Sequence, residues 1–266
     1  MLKNITLGQY YPGNSVIHRL DPRMKILLAL ALIVIVFLID SLWGFAALAV
    51  FLGVVIALAQ VGAGSVIRSI KPLLFIIVFT FVLNLFFYSE PRSTVLAQWG
   101  QVKITEEGIF KAILIVLRLA FLIFSTSLLT LTTSPMQLTD GMESLMKPLT
   151  KIHFPVHEMA MMMSIALRFI PTLAEETDRI MKAQTARGAE FDTGNVLKRA
   201  RNMIPLLVPL FISAFKRADE LALAMESRCY HGGEGRTKMK VLRLAGFDWG
   251  ALAVTGAVSA LLVVFF

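Results

Sequence analysis

Two arginines, Arg187 and Arg228, stand 41 positions apart, and each lies between two small residues. The triplets that contain them are Ala186-Arg187-Gly188 and Ser227-Arg228-Cys229. An arginine keeps its charge and presents a rigid fork of N–H donors, which suits a pocket lined by carboxylates or by helix-end carbonyls. Small neighbours would let a helix tip enter a groove without steric collision. The pattern therefore predicts docking onto a partner rather than covalent chemistry.

The residues before the two arginines also correspond when the chain is shifted by 41 positions. The matching pairs are Asp178 with Asp219, Ala183 with Ala224, and Ile180 with Leu221. One alternative is that each arginine only interacts with the dipole of its own helix, an effect of about 0.3–1 kcal/mol. The shared ending favours docking instead. A helix over Pro171–Arg187 would be roughly 25 Å long, and two such rods suit a dimeric partner with two similar grooves.

The elements that carry these arginines belong to a very apolar chain. Of its 266 residues, 56% are hydrophobic and 17% are charged, and the mean hydropathy is +0.72. Soluble domains average about 45–50% apolar and about 25% charged residues. The excess lies in long blocks, including Leu42–Val61, Leu73–Tyr88 and Ile109–Leu131. Continuous blocks of this kind are typical of membrane-spanning helices, and they predict an all-α polytopic membrane protein.

Five spans are predicted in total. The first, Ile26–Ile39, follows a helix start at Asp21-Pro22 and is short, so we expect it to gain a turn that includes Lys25, whose side chain would snorkel. The last runs from about Trp249 to Phe266. The resulting segments are a cytoplasmic stretch 1–25, spans one to four in 26–131, a cytoplasmic module 132–243 and the last span in 244–266.

Charge placement gives the orientation of these spans. The stretch Ser134–Arg243 contains 16 Lys and Arg and 12 Asp and Glu, and basic residues also precede the first span. Positive residues beside spans mark the cytoplasmic side. We therefore expect a cytoplasmic N-terminus in a bacterial inner membrane, in contact with lipid.

The cytoplasmic module is predicted to consist of helices and one basic connector. A short amphipathic helix covers Gln137–Leu149, and a long helix covers Val156–Arg187 with a kink near Pro171. The basic connector Asp192–Met203 then leads to a second long helix, Leu206–Arg228, which stops at the glycine-rich stretch that begins at Gly232.

Two further features are candidates for function. Arg118 lies near the middle of the fourth span, where a charge is costly, so it is either a functional residue paired with Asp40 or Asp248 or a residue that binds backbone carbonyls. Met159, Met161, Met162 and Met163 form either a flexible partner-binding surface or core filler.

Several activities lack their motifs. The sequence contains no phosphate-binding loop of the G-x-x-x-x-G-K-[ST] type, so any ATP must bind to another chain. The four histidines are scattered, and Pro155 separates His153 from His157, so no metal site is expected. No aromatic residues interleave with the basic connector, which argues against nucleic-acid binding.

Three motifs together resemble one known family. They are the octapeptide His18-Arg19-Leu20-Asp21-Pro22-Arg23-Met24-Lys25, the tetrapeptide Arg168-Phe169-Ile170-Pro171, and the two arginine triplets. They are similar to the transmembrane T component of energy-coupling factor (ECF) transporters, ABC-type importers of vitamins and trace metal ions. The likeness covers essentially the whole chain, although Ser227-Arg228-Cys229 departs from the Ala-Arg-Gly form of the first triplet.

The resemblance implies a non-catalytic scaffold. Both triplets would tip crossed coupling helices and dock on two ATPase subunits, a homodimer or heterodimer that binds ATP and Mg. Arg168, Pro171, Asp178 and Asp219 would support the helix geometry. A separate membrane S component would bind the substrate and contact the methionine surface. A stand-alone secondary transporter is the main alternative, but it would need its own substrate site and repeats within its spans.

Overall fold

The computed structural model describes residues 10–87, 95–99, 102–189, 191, 195–232 and 241–265. Within these ranges the chain is almost entirely helical. The α-helices are α1 Pro22–Leu38, α2 Leu42–Ala59, α3 Ala63–Arg68, α4 Leu74–Phe87, α5 Glu106–Thr132, α6 Pro135–Met146, α7 Val156–Ala186, α8 Val196–Asn202, α9 Ile204–Glu226 and α10 Gly246–Phe265. Short 3₁₀ helices cover Lys71–Leu73 and Lys147–Ile152. The prediction of an all-α membrane protein is confirmed.

One local exception is a β-hairpin between the third and fourth predicted spans. Strands β1 Val95–Trp99 and β2 Val102–Thr105 pair antiparallel, with Trp99 opposite Val102. The hairpin leads directly into α5, where the Thr105 hydroxyl accepts a 3.1 Å hydrogen bond from the Gly108 N–H. Glu106 follows in the first turn, where the helix dipole favours a negative charge.

Four of the described helical stretches are long and apolar enough to cross a membrane: Leu42–Ala59, Gly64–Phe86, Glu106–Thr132 and Gly246–Phe265. They cover most of the predicted second to fifth spans, but the second ends at Ala59 rather than Val61 and the third at Phe86. Tyr88 and Phe266, at two predicted span ends, lie outside the described residues. The first predicted span lies in α1, which has 17 residues and a length of about 25 Å. A bilayer core is about 30 Å thick, so whether α1 crosses it completely stays a prediction.

The described chain divides into two compact units. One extends over Leu7–Ser144 and Leu242–Phe266, and the other over Leu145–Val241. The first unit includes most of α6 because Gly141 lies against Pro22 of α1, where a Cβ would come within 3.1 Å of the proline side chain. The predicted cytoplasmic module 132–243 stays a prediction, because the division into compact units does not test its function.

The core of the membrane unit forms where α1, α2, α5 and α10 meet. Val36, Phe45 and Leu48 are almost completely buried there, together with Leu262 of α10. The rings of Phe45 and Phe121 stack with their centroids 5.8 Å apart. Hydrophobic side chains on the outer faces of the same helices remain exposed, as expected for helices that contact lipid.

The start of α1 confirms one prediction and corrects another. Asp21 is the N-cap, and its carboxylate accepts a 2.9 Å hydrogen bond from the Arg23 N–H. Lys25, however, does not snorkel to a surface. Its side chain is buried, and its ammonium donates to the carbonyls of His18 and Thr132 at 3.1 and 2.9 Å. These carbonyls bind two of the three ammonium N–H donors inside the protein, so the side chain does not extend to water.

Asp248 connects the same end of α1 to α10. One of its carboxylate oxygens accepts from the Asp21 N–H at 2.9 Å, and the other accepts from the Ala245 N–H at 2.8 Å. The second bond is the backward bond of a capping box, because Asp248 is the third residue of α10. Asp248 thereby joins the start of α1 to the start of α10, although the two are far apart in sequence.

Several predicted helix boundaries between positions 132 and 243 need correction. The first short helix is α6, which begins at Pro135 and ends at Met146, and a 3₁₀ turn follows it. Part of the predicted basic connector is helical, as α8. Helix α9 begins at Ile204, before both of its prolines, and ends at Glu226 rather than at the glycine-rich stretch. Proline is tolerated in a first helical turn, which explains Pro205.

Candidate docking ends of the two long helices

Helix α7 ends in a backbone hydrogen-bond pattern of the Schellman type. The Gly188 N–H donates to the Thr185 carbonyl and the Ala189 N–H donates to the Gln184 carbonyl, both at 3.0 Å. Gly188 has a φ of +89°, in the left-handed region. The first helix therefore ends at Ala186, with Arg187 as the last residue before the reversal.

Helix α9 ends in the same pattern, 41 positions later. The Cys229 N–H donates to the Glu226 carbonyl at 2.9 Å, and the Tyr230 N–H donates to the Met225 carbonyl at 3.1 Å. Cys229 has a φ of +56°. Arg228 thus occupies the same place in its helix end as Arg187 does in the first, which the sequence comparison left open.

This geometry gives a physical reason for the small residue after each arginine. A left-handed residue is tolerated best as glycine, because a Cβ crowds the following carbonyl. Two carbonyls in the last turn of each helix are already bonded by backbone N–H groups of the reversal. Both arginines are exposed and are not needed as local caps. Their side chains are therefore available for a partner.

An ion pair joins α7 and α9 at corresponding positions. The Arg217 guanidinium lies 3.3 Å from the Glu176 carboxylate, and these two residues are also 41 positions apart. Corresponding positions of the two helices are therefore in direct contact. Sequence analysis missed this pair, although the 41-residue shift could have found it. The predicted supporting residue Asp178 is half-buried and Asp219 is exposed.

A cleft of about 660 Å³ lies between α7 and the end of α9. From α7 it is lined by Met161, Ser164, Ile165, Arg168 and Phe169, and from α9 and the residues after it by Leu221, Met225 and Arg228–Gly232. The structure thus brings Arg168 and Met161 together with the second arginine triplet. Apolar side chains such as Ile165 and Phe169 also line the cleft, and Arg168 and Arg228 are both exposed.

The remaining predicted functional residues of α7 are three methionines at its surface and a proline in its interior turns. Met159, Met162 and Met163 are 40%, 58% and 48% exposed, so they are not core filler within this unit. Pro171 lies inside the helix, where it cannot donate a backbone hydrogen bond to the carbonyl of Leu167. Their proposed roles in S-component contact and helix geometry remain predictions.

In the membrane unit, Arg118 has both kinds of partner that sequence analysis considered. One guanidinium nitrogen lies 2.8 Å from the Asp40 carboxylate and 3.0 Å from the Ile39 carbonyl. Asp248, the other candidate, instead caps α1 and α10. Arg118 therefore ties α5 to the turn between α1 and α2.

The fold and these helix ends are those of a multi-pass α-helical membrane protein. Its second, mostly helical unit carries two equivalent arginine-bearing ends. A model of the CbiQ family, described as cobalt transport protein, matches residues 13–239. The energy-coupling factor transporter transmembrane protein EcfT of Thermosediminibacter oceani is 58% identical over 255 residues, which cover 96% of this chain and 95% of that protein.

Two further relatives carry the same name. EcfT of Acidaminococcus fermentans is 56% identical over 264 residues, covering 99% of this chain and 96% of the relative. EcfT of Bacillus subtilis is 48% identical over 262 residues, covering 98% of each. The chain belongs to the family of transmembrane components of energy-coupling factor transporters, and the resemblance found in the sequence is confirmed.

Proposed function

We propose that this chain couples two ATPase subunits to a substrate-binding membrane subunit, and that Arg187 and Arg228 are its contacts with the ATPases. The observation that carries this proposal is the equivalence of the two helix ends. The same hydrogen-bond pattern presents an exposed arginine at the same position of both. A partner with two similar grooves would use such a pair.

The direct contact between Glu176 and Arg217 supports transmission of movement between the ends. Packed helices move as rigid elements, so a displacement of one arginine-bearing end would also displace the other helix. ATP and Mg would bind to the ATPase pair, and this chain would take no part in hydrolysis. The substrate, a vitamin or another micronutrient, would be bound by a separate S component.

The S component would contact the exposed methionines of α7. Methionine side chains are flexible and polarizable, so one surface of this kind adapts to different partners. The positive charge of the stretch 134–243 supports a cytoplasmic location for the second unit, with the N-terminus on the same side of a bacterial inner membrane.

Charge reversal at the two ends tests the docking. We expect Arg187→Glu or Arg228→Glu alone to weaken co-purification with the ATPases, and the double variant to abolish both complex recovery and uptake. Arg179→Glu, at another exposed arginine of α7, serves as the matched control. If the double variant still co-purifies with its ATPases and supports normal uptake, the docking proposal is wrong.

A further inference from the structure

The two helix ends share one backbone geometry but have different neighbours. Arg217 and Glu176 are in contact, and the cleft beyond them contains both Met225, eight positions after Arg217, and Arg168, eight positions before Glu176. The two helices therefore run antiparallel past the ion pair. The end of α9 lies beside the first half of α7, and Arg168 comes close to the second triplet.

The matching position on α9 does not carry a charge. A shift of 41 positions takes Arg168 to Pro209, which lies inside α9. The second triplet therefore shares its cleft with an additional arginine of the neighbouring helix, whereas the corresponding position of α9 is a proline. The two ends therefore match in their backbones and triplet arginines but not at this position.

We infer that Arg168 and Arg228 together form a two-arginine docking cleft for an acidic segment of one ATPase subunit, whereas Pro209, which corresponds to Arg168 for the Ala186-Arg187-Gly188 end, supplies no second arginine. This rests on the proposed docking function and adds a rule for which groove each end prefers. The occupant would place carboxylates over the two guanidinium groups.

The composition of the cleft specifies the occupant further. Its lining includes apolar side chains such as Ile165, Phe169 and Leu221, so the acidic segment must also present apolar residues. An amphipathic helix or turn with paired carboxylates satisfies both requirements, because arginine binds carboxylates through two parallel N–H donors. A volume of about 660 Å³ accommodates several side chains.

A double-mutant cycle tests the inference whether the two ATPase subunits are identical or different. The affinity of the intact ATPase dimer is measured for the full chain in lipid nanodiscs at one fixed salt concentration. We expect Arg168→Gln to weaken binding by about tenfold, as for the loss of a hydrogen bond to a charged group. The control Arg179→Gln should leave binding unchanged.

Combination with each triplet arginine then shows which end Arg168 serves. In an Arg228→Gln background, Arg168→Gln should weaken binding by less than about threefold, because groups that share one partner are not additive. In an Arg187→Gln background, the full loss of about tenfold should remain. An unchanged affinity for Arg168→Gln, or coupling to Arg187 instead, overturns the inference.

The same measurements separate this inference from the docking proposal itself. If Arg228→Gln weakens binding and Arg168→Gln does not, only the two-arginine cleft is wrong. If neither Arg187→Gln nor Arg228→Gln weakens binding, the docking function fails as well.

Discussion

The left-handed backbone at Gly188 should make the end of α7 sensitive to any side chain at this position. An added Cβ would meet nothing within 4 Å, so steric contact with other residues plays no part. The change Gly188→Ala therefore isolates the backbone effect. A left-handed conformation costs an L-residue about 1–2 kcal/mol, and the lower entropy of the unfolded alanine chain offsets about 0.4–1 kcal/mol of it.

The net destabilisation is about 1 kcal/mol, which corresponds to an about fivefold higher population of the frayed helix end. Hydrogen exchange followed by mass spectrometry reports this population directly. The peptide that contains the Gly188 and Ala189 amides should exchange about fivefold faster in the variant, because these amides make the two terminal bonds of α7.

Cys229 provides the reciprocal experiment. Its φ of +56° already places an L-residue in the left-handed region, so Cys229→Gly should slow exchange at Tyr230, and Cys229→Ala should leave it nearly unchanged. Gly64→Ala is the control, since Gly64 has open space for a Cβ and lies in α3 without a left-handed φ. Unaltered exchange after Gly188→Ala would refute the proposed origin of the small residue in each triplet.

Two ion pairs lead to further predictions. Glu176→Gln and Arg217→Gln should show a coupling of about 0.5–1 kcal/mol in a double-mutant cycle of thermal stability, because the pair is partly exposed; additive effects would show that the contact contributes nothing. Arg118→Gln should lower the stability in detergent more than Asp40→Asn does, since Arg118 also binds the Ile39 carbonyl and Asp40 is largely exposed; equal losses would contradict this assignment.

The two helix ends could be predicted from the sequence because a repeated triplet indicates a repeated local structure. The spacing of Arg187 and Arg228 was sufficient to align the two ends. The left-handed φ at Cys229 was not accessible, because a cysteine there gives none of the signal that a glycine gives. The equivalence of the two ends follows from the hydrogen bonds around Gly188 and Cys229, which only the structure shows.

The errors concern contacts between distant parts of the chain. Hydropathy treats a lysine beside a span as a side chain that seeks water, whereas Lys25 finds an acceptor at Thr132, 107 positions away. The early start of α9 was missed because prolines were read as boundaries. The pairing of Arg118 with Asp40 was considered but could not be decided, since it depends on how far the turn after α1 reaches along α5.

Equivalent backbones and unequal neighbours have different consequences for a coupling subunit. Under the proposed function, the shared geometry at Arg187 and Arg228 would let two related ATPase subunits bind with the same orientation of an arginine relative to a helix axis. The additional charge of Arg168 at one end would then distinguish the two grooves by electrostatic complementarity, which acts on specificity more than on affinity. A fixed assignment of each subunit to one end therefore requires no difference in the backbone of the two helices.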